Sequence, residues 1–292
     1  MKSNENLRGI VLMLLSMAGF ALADTLVKVS SSSLSPAQIL LLLLVGGLVM
    51  FVLLAVVQRD RLIDRRAFMP VLLLRYLAEI TGMIGLVTAL AYVPLSTFGA
   101  VTQATPILVA VGAVIFLGEK VSWRRWTSIA VGFLGVMLIV QPGSAGFELS
   151  VLWAVLAMVS LSVRDLTTRL IPADFASTSM AVYTMIATIP FAVIWVLMEG
   201  NPLIPAQLDW PIVLPMVTLG SIGYIFLIAS MRMSDVSVVT PFRYSRIIFL
   251  LILGIVVFDE RPGWTVLIGA ALVICSGLYM MWRERQLNRG SD

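Results

Sequence analysis

The sequence contains no histidine and a single cysteine. Without histidine, the side chain that most often serves as a base near neutral pH and as a metal ligand is missing. Cys275 stands alone in an apolar run, so the chain can form neither an internal disulfide framework nor a Cys/His metal site. Charge is scarce too: 12% of residues are Asp, Glu, Lys or Arg, about half the usual globular share. No phosphate loop, zinc-protease helix or nucleophile elbow occurs. These absences predict no metal, no cofactor and no enzyme. The pI near 9.5 invites a nucleic-acid partner, but the basic residues are dispersed between apolar runs rather than gathered in one patch, so none is expected.

What is present is hydrophobic. Sixty per cent of the 292 residues are apolar, and the mean hydropathy is +1.01. A soluble core cannot hide that much apolar surface, so the lipid bilayer is the first expected partner. Ten runs are long enough to span it: 8–29, 36–57, 69–92, 96–117, 124–141, 149–171, 176–198, 211–231, 237–258 and 263–282. Their length predicts helices, because a barrel strand needs only about ten residues of alternating character. The first run has a competing reading. Lys2 and Arg8 precede an apolar stretch ending Ala21-Leu22-Ala23, the pattern of a cleavable signal peptide. Cleavage would remove the repeat partner of the sixth span, described next, so a retained helix is expected.

Lysine and arginine alternate in the connections. Fourteen lie on the side that holds both termini, against Arg261 and Lys28 opposite. This bias predicts an even number of spans with both termini cytoplasmic. The chain also matches itself at an offset of 141. Asp24 falls on Asp165, Lys28 on Arg169, Gly82 on Gly223, Ser96 on Ser237, Glu119 on Glu260 and Trp123 on Trp264. Two repeats result, residues 1–146 and 147–292, forming one transport domain. Five spans in each force the second to insert upside down, and inverted repeats place a substrate site near the bilayer midplane. The expected fold is all-α integral membrane: ten transmembrane helices as two inverted five-helix repeats.

"FLGEKVSW" (116–123) and "VFDERPGW" (257–264) follow the fourth and ninth spans. With the ten-span duplication, they resemble the drug/metabolite transporter superfamily, specifically its EamA-type members. The Gly-Glu element stands at Gly118-Glu119 and is altered to Asp259-Glu260. "NLRGI" (6–10) and "VRDLTTR" (163–169) look like a proteobacterial subgroup that includes S-adenosylmethionine and riboflavin carriers. The resemblance implies a bacterial inner-membrane carrier with a cavity lined by the first, third, fourth, sixth, eighth and ninth helices.

Ionisable residues at membrane depth mark function by default. Three pairs stand four apart on one helix face: Asp24/Lys28, Arg75/Glu79 and Asp165/Arg169. Each pair is expected to neutralise itself, with Lys28 and Arg169 also able to snorkel. Arg164 and Asp165 lie about 100° apart around their helix and are expected to point in different directions. Arg164, Arg243 and Arg246 have no local partner. Arginine keeps its proton, so a carboxylate from another helix, backbone carbonyls, water or an anionic substrate must compensate each of them. A guanidinium fork fits a carboxylate or phosphate. The candidate substrate-binding residues are therefore Arg164, Arg243 and Arg246, joined by Tyr76, Gln103, Tyr224 and Tyr244 in spans whose family counterparts line the cavity. Glu79, Asp24, Asp165 and Arg75 are the coupling or gating candidates. Pro106 and Pro241 predict breaks in the fourth and ninth spans. Gly132, Gly135 and Gly269, with Ser128 and Ser276, are read as close-packing positions.

The function expected is a secondary active transporter working by alternating access. Its substrate would be a small organic metabolite bearing a carboxylate or phosphate, foremost an amino acid or related compound. Protons are a candidate coupling ion, and one chain is sufficient as a monomer. The alternative is a carrier of a neutral or cationic conjugated metabolite such as riboflavin or S-adenosylmethionine. A channel or an intramembrane enzyme is the reading from a different class, and for the enzyme only the acid pairs speak.

Overall fold

Inside a bilayer no water satisfies backbone N–H and C=O groups, so an apolar run must close its hydrogen bonds within itself. The computed structural model describes every residue except 1, 61–63, 119–122, 143–147, 173, 206–207, 235 and 290–292. Its helices are α1 (Lys2–Ser30), α2 (Pro36–Gln58), α3 (Pro70–Tyr92), α4 (Leu95–Thr102), α5 (Thr105–Leu117), α6 (Trp123–Val140), α7 (Val151–Thr168), α8 (Ser177–Met198), α9 (Trp210–Met233), α10 (Val236–Val239), α11 (Ser245–Phe258) and α12 (Trp264–Arg289). Among the described residues nine segments are long and apolar enough to cross a membrane, with α4–α5 forming one of them. The fifth expected span is α6, whose apolar part is the shorter Trp126–Val140. The protein is an all-α, multi-pass membrane protein.

Local chemistry sets the helix ends. Ser35 caps α2 in a reciprocal box with Gln38, and Pro36 occupies the first turn. α5 and α11 each end on a residue in the left-handed conformation, Gly118 (φ 67°) and Asp259 (φ 52°). These two residues are 141 apart. The left-handed region favours glycine and admits asparagine and aspartate more readily than most residues with a Cβ. That is why the Gly-Glu element can read Asp-Glu in the second half. Both predicted breaks are present. α4 stops two residues before α5, whose first turn holds Pro106. A 3-10 turn, Thr240–Tyr244, carries Pro241 between α10 and α11.

The repeat register is visible in the elements. α2 and α8 begin at 36 and 177, and α5 and α11 end at 117 and 258. Packing follows the same symmetry. α1 lies on α9 and α7 on α3, while α2 pairs with α8 and α6 with α12. The repeats are therefore interleaved. Small residues make the close approaches. Ser16 Oγ donates to the Gly223 carbonyl (2.7 Å) and Ser230 Oγ to the Gly9 carbonyl (2.7 Å), stitching α1 to α9. Ser128 and Ser276 donate to each other's carbonyls (2.8 and 2.6 Å) between α6 and α12.

We call the end of the bundle where α1 begins proximal and the opposite end distal. The main apolar cluster fills the distal end, where Leu90, Val93, Leu95 and Phe98 are fully buried. Two small, separate clusters stand at the proximal end. Ala67, Leu72, Tyr76, Phe175 and Met180 join α3 to α8, and Met13, Met17 and Val239 join α1 to the start of the broken ninth span.

A Cβ at Gly135 would lie 2.7 Å from the Gly269 carbonyl oxygen, a backbone atom that cannot swing away. Gly135→Ala should lower stability by roughly 1–3 kcal/mol, as for other overpacked sites. Gly220→Ala, whose Cβ would meet its nearest neighbour at 3.8 Å, should stay within about 0.5 kcal/mol of the parent. Melting of the purified variants in mild detergent checks both.

Candidate functional site

Between the two proximal clusters lies a charged network drawn from five helical elements. α3 supplies Arg75 and Glu79, one turn apart. Their side chains are 3.9 Å apart, and Arg75 also donates to Thr168 Oγ1 (3.0 Å) on α7 and Thr184 Oγ1 (2.6 Å) on α8. α7 supplies Arg164 and Asp165. The Arg164 guanidinium reaches Glu79 at 3.3 Å and folds back onto its neighbour, donating from Nε (2.9 Å) and Nη2 (2.8 Å) to Asp165 Oδ1. α1 supplies Asp24, which accepts from Arg246 of α11 at 2.5 Å through Nη2 and 3.2 Å through Nε. Arg246 also lies over the Phe20 ring, 5.4 Å from its centre.

Several expectations change here. Asp24 and Lys28 do not neutralise each other. Asp24 turns to α11, and Lys28 Nζ donates to the carbonyls of Val93 (2.6 Å) and Leu90 (3.4 Å). Asp165 pairs with Arg164, so the pair of adjacent residues does converge. The 100° between them is spanned by the length of the arginine side chain. Arg164 and Arg246 are compensated by carboxylates, two of them on other helices, and neither is a free cation. The Arg75/Glu79 spacing does bring its two groups together.

Arg243 differs. Among the described residues its guanidinium meets no hydrogen-bond acceptor and no carboxylate within ion-pair distance. It lies within electrostatic range of Asp165, Arg164 and Arg246. Its backbone carbonyl is held by Gln103, whose Nε2 donates to it at 2.6 Å. That bond joins the two broken spans at their breaks, where a carbonyl freed from the helix ladder needs a donor.

The aromatic candidates divide. Tyr224 stacks edge-on against Phe51 (5.0 Å, 85°) within electrostatic range of Arg75, Arg164 and Glu79. Tyr76 is buried in the α3/α8 cluster, its hydroxyl without a partner. Tyr244 is buried against α12, its hydroxyl in the space that a Cβ of Gly277 would fill. The structure thus brings Arg75, Glu79, Arg164, Asp165, Tyr224, Arg243, Arg246 and Asp24 into one region. Gln103 sits behind it, and Tyr76 and Tyr244 are packed aside.

The network is partly exposed: the side chains of Arg164, Asp165 and Arg246 are 27, 32 and 25% exposed. Charges at membrane depth face the bundle interior or a water-filled cavity. Three acids oppose four arginines, leaving one positive charge in excess. Sequence reasoning missed the two threonines that hold Arg75, because a threonine in an apolar helix gives no signal of its own. It also missed the role of Glu260, which accepts from the amides of Leu95 (2.5 Å) and Ser96 (3.0 Å) and from Ser96 Oγ (2.7 Å). Glu260's repeat match, Glu119, lies outside the described residues. In the proximal connections Arg66 bridges Asp64 (2.7 Å) and Asp174 (2.6 Å), and this guanidinium holds the Asp174 carboxyl below its ordinary range.

Two stretches, residues 7–141 and 148–282, match the EamA-like transporter family. A protein of Rickettsia conorii named S-adenosylmethionine uptake transporter is 27% identical over 74% of each chain. A riboflavin transporter of Rhizobium johnstonii is 27% identical over 74% of this chain and 72% of its own. A pseudopaline exporter of Pseudomonas aeruginosa is 25% identical over 91% and 93%. A solved crystal structure covers 98% of this chain with a TM-score of 0.63 at 18% identity, and so shares its fold.

Removing one member of the Asp24–Arg246 pair strands the other in a site where Asp24 is only 9% exposed. Asp24→Asn should cost on the order of 3 kcal/mol, as for other buried pairs broken on one side. Asp24→Asn combined with Arg246→Gln should recover at least half of that loss. A double-mutant cycle on unfolding in detergent measures the coupling, and additive losses would show that the two side chains do not interact.

Proposed function

Because the chain belongs to the EamA-like transporter family, we propose that it is a secondary active transporter. It carries a small organic metabolite bearing a carboxylate, an amino acid or amino-acid derivative, by alternating access. The single observation behind this substrate class is Arg243. Among the described residues it is a guanidinium without an acceptor in a network whose other arginines all have one. A substrate carboxylate placed against Arg243 would offset the one positive charge that the three acids leave in excess, with the substrate's ammonium held away from it, and the guanidinium fork can hold the two oxygens together. A phosphate dianion would overshoot that balance. The relative from Rickettsia conorii is named for S-adenosylmethionine, which bears an α-amino-acid carboxylate that Arg243 could take but is a net cation, and so belongs equally to the alternative.

The membrane is the bacterial inner membrane with both termini cytoplasmic, from the 14-to-2 distribution of Lys and Arg in the connections. One chain contains both pseudosymmetric halves and works as a monomer. Protons are the coupling ion in this proposal, with Asp24 and Glu79 as the membrane-depth carboxylates that could carry them. The alternative, a carrier of a neutral or cationic conjugated compound, draws on Tyr224 and Phe51 at the edge of the network and on the riboflavin and S-adenosylmethionine relatives.

Ligands that bind only the folded state raise its stability by about 2.7 kcal/mol at a hundredfold excess over Kd. We expect amino acids and related carboxylates to raise the melting temperature in detergent. Arg243→Gln should abolish the shift, and Arg243→Lys should keep part of it. Shifts produced only by flavins or amines, or an unchanged shift in Arg243→Gln, would overturn the assignment and favour the alternative. Uptake into proteoliposomes with and without an imposed pH gradient tests the coupling ion, and equal rates would exclude protons.

A further inference from the structure

The connection between α3 and α4 at the distal end is pinned from two directions. From α1, Lys28 Nζ donates to the Val93 carbonyl at 2.6 Å and lies 5.4 Å over the Phe258 ring. From the turn after α11, the Glu260 carboxylate takes the amides of Leu95 and Ser96 at the start of α4 together with the Ser96 hydroxyl. An anion at a helix N-terminus satisfies donors that have no partner within the helix and complements its dipole. Lys28 and Glu260 also attract each other. The sequence makes room for this contact: the Glu260 carboxylate crosses Gly254, where a Cβ would approach it to 2.6 Å. Residues of both repeats thus meet on one strip of backbone.

The two ends of the bundle are not alike. At the distal end the contact sits above fully buried Val93 and Leu95. At the proximal end the apolar packing is divided into two small clusters beside the charged network. Lys28 is also one helical turn from Asp24 on the same face of α1. A movement of α1 that frees Lys28 from Val93 therefore also disturbs Asp24 against Arg246.

We propose that Lys28 and Glu260 form a latch that closes the distal end of the site, and that the conformer described above is the one open toward the proximal end. The inference rests on the transport reading but not on the substrate. Releasing the latch is the step that exposes the network to the distal side, and Asp24 carries that event to the site.

Val27, 2% exposed beside Lys28, reports on this end. In a Cys275→Ser background, Val27→Cys should resist a membrane-impermeant maleimide applied to the distal face of proteoliposomes. Lys28→Met or Glu260→Gln should speed its labelling about tenfold, a shift of about 1.4 kcal/mol between closed and open populations. Ser96→Ala, which removes only one hydroxyl from the latch, should act in the same direction to a smaller extent and serves where a charge variant fails to fold. Labelling at the parental rate in these variants overturns the latch, and so does rapid labelling of the parent. The assay contains no substrate, so a failure of the carboxylate reading would leave its outcome unaffected.

Discussion

A charge inside a bilayer has to find its match within the protein, and here many of the matches run between the two repeats. Asp24 answers Arg246, Glu79 answers Arg164, and Arg75 finds Thr168 and Thr184. Gln103 supports the carbonyl of Arg243, and Glu260 holds the start of α4. Neither half could satisfy its own polar groups alone. The interleaving of α1 with α9 and of α7 with α3 is thus required twice, once by small-residue packing and once by electrostatics. The price of breaking a match is high because no water stands ready to replace it.

The frame is symmetric, yet the chemistry laid over it is not. The repeat matches of Arg75, Glu79, Arg164, Arg243 and Arg246 are Met216, Gly220, Ala23, Thr102 and Thr105. Among the membrane-depth charges, Asp24/Asp165 and Lys28/Arg169 keep their character in both halves. A two-fold frame can exchange its ends in a transport cycle, whereas a substrate has a head and a tail and needs an asymmetric lining. Single-copy charges on a duplicated frame provide for both.

The sequence made legible whatever depends on near neighbours along the chain. Spans follow from hydropathy, the two breaks from Pro106 and Pro241, and the close-packing sites from Gly135, Gly269, Ser128 and Ser276. The repeat register followed from the 141-residue offset and holds to the residue at the starts of α2 and α8 and the ends of α5 and α11. Partner choice was not legible. Asp24 stands four residues from Lys28 and 222 from Arg246, yet takes the distant one. An i, i+4 spacing states what two side chains can do on an isolated helix, and the packing of α1 against α11 decides what they do. Arg164 and Asp165 misled for the opposite reason, since a backbone angle does not limit a side chain as long as arginine's. Arg243 was legible as a cation needing compensation, though only the structure separates it from Arg164 and Arg246.

The contact between α6 and α12 carries a consequence for the protein's origin. Ser128 meets Ser276 and Gly135 meets Gly269. Under the repeat Ser128 corresponds to Gly269, and Gly135 to Ser276. Each contact is therefore the symmetry mate of the other, which is the signature of an isologous interface, the kind that two identical subunits form about a two-fold axis. Two copies of one five-helix ancestor, inserted in opposite orientations, would have met on this same surface before they were fused. Since fusion, one mate has become a hydrogen-bonded serine pair and the other a bare backbone contact.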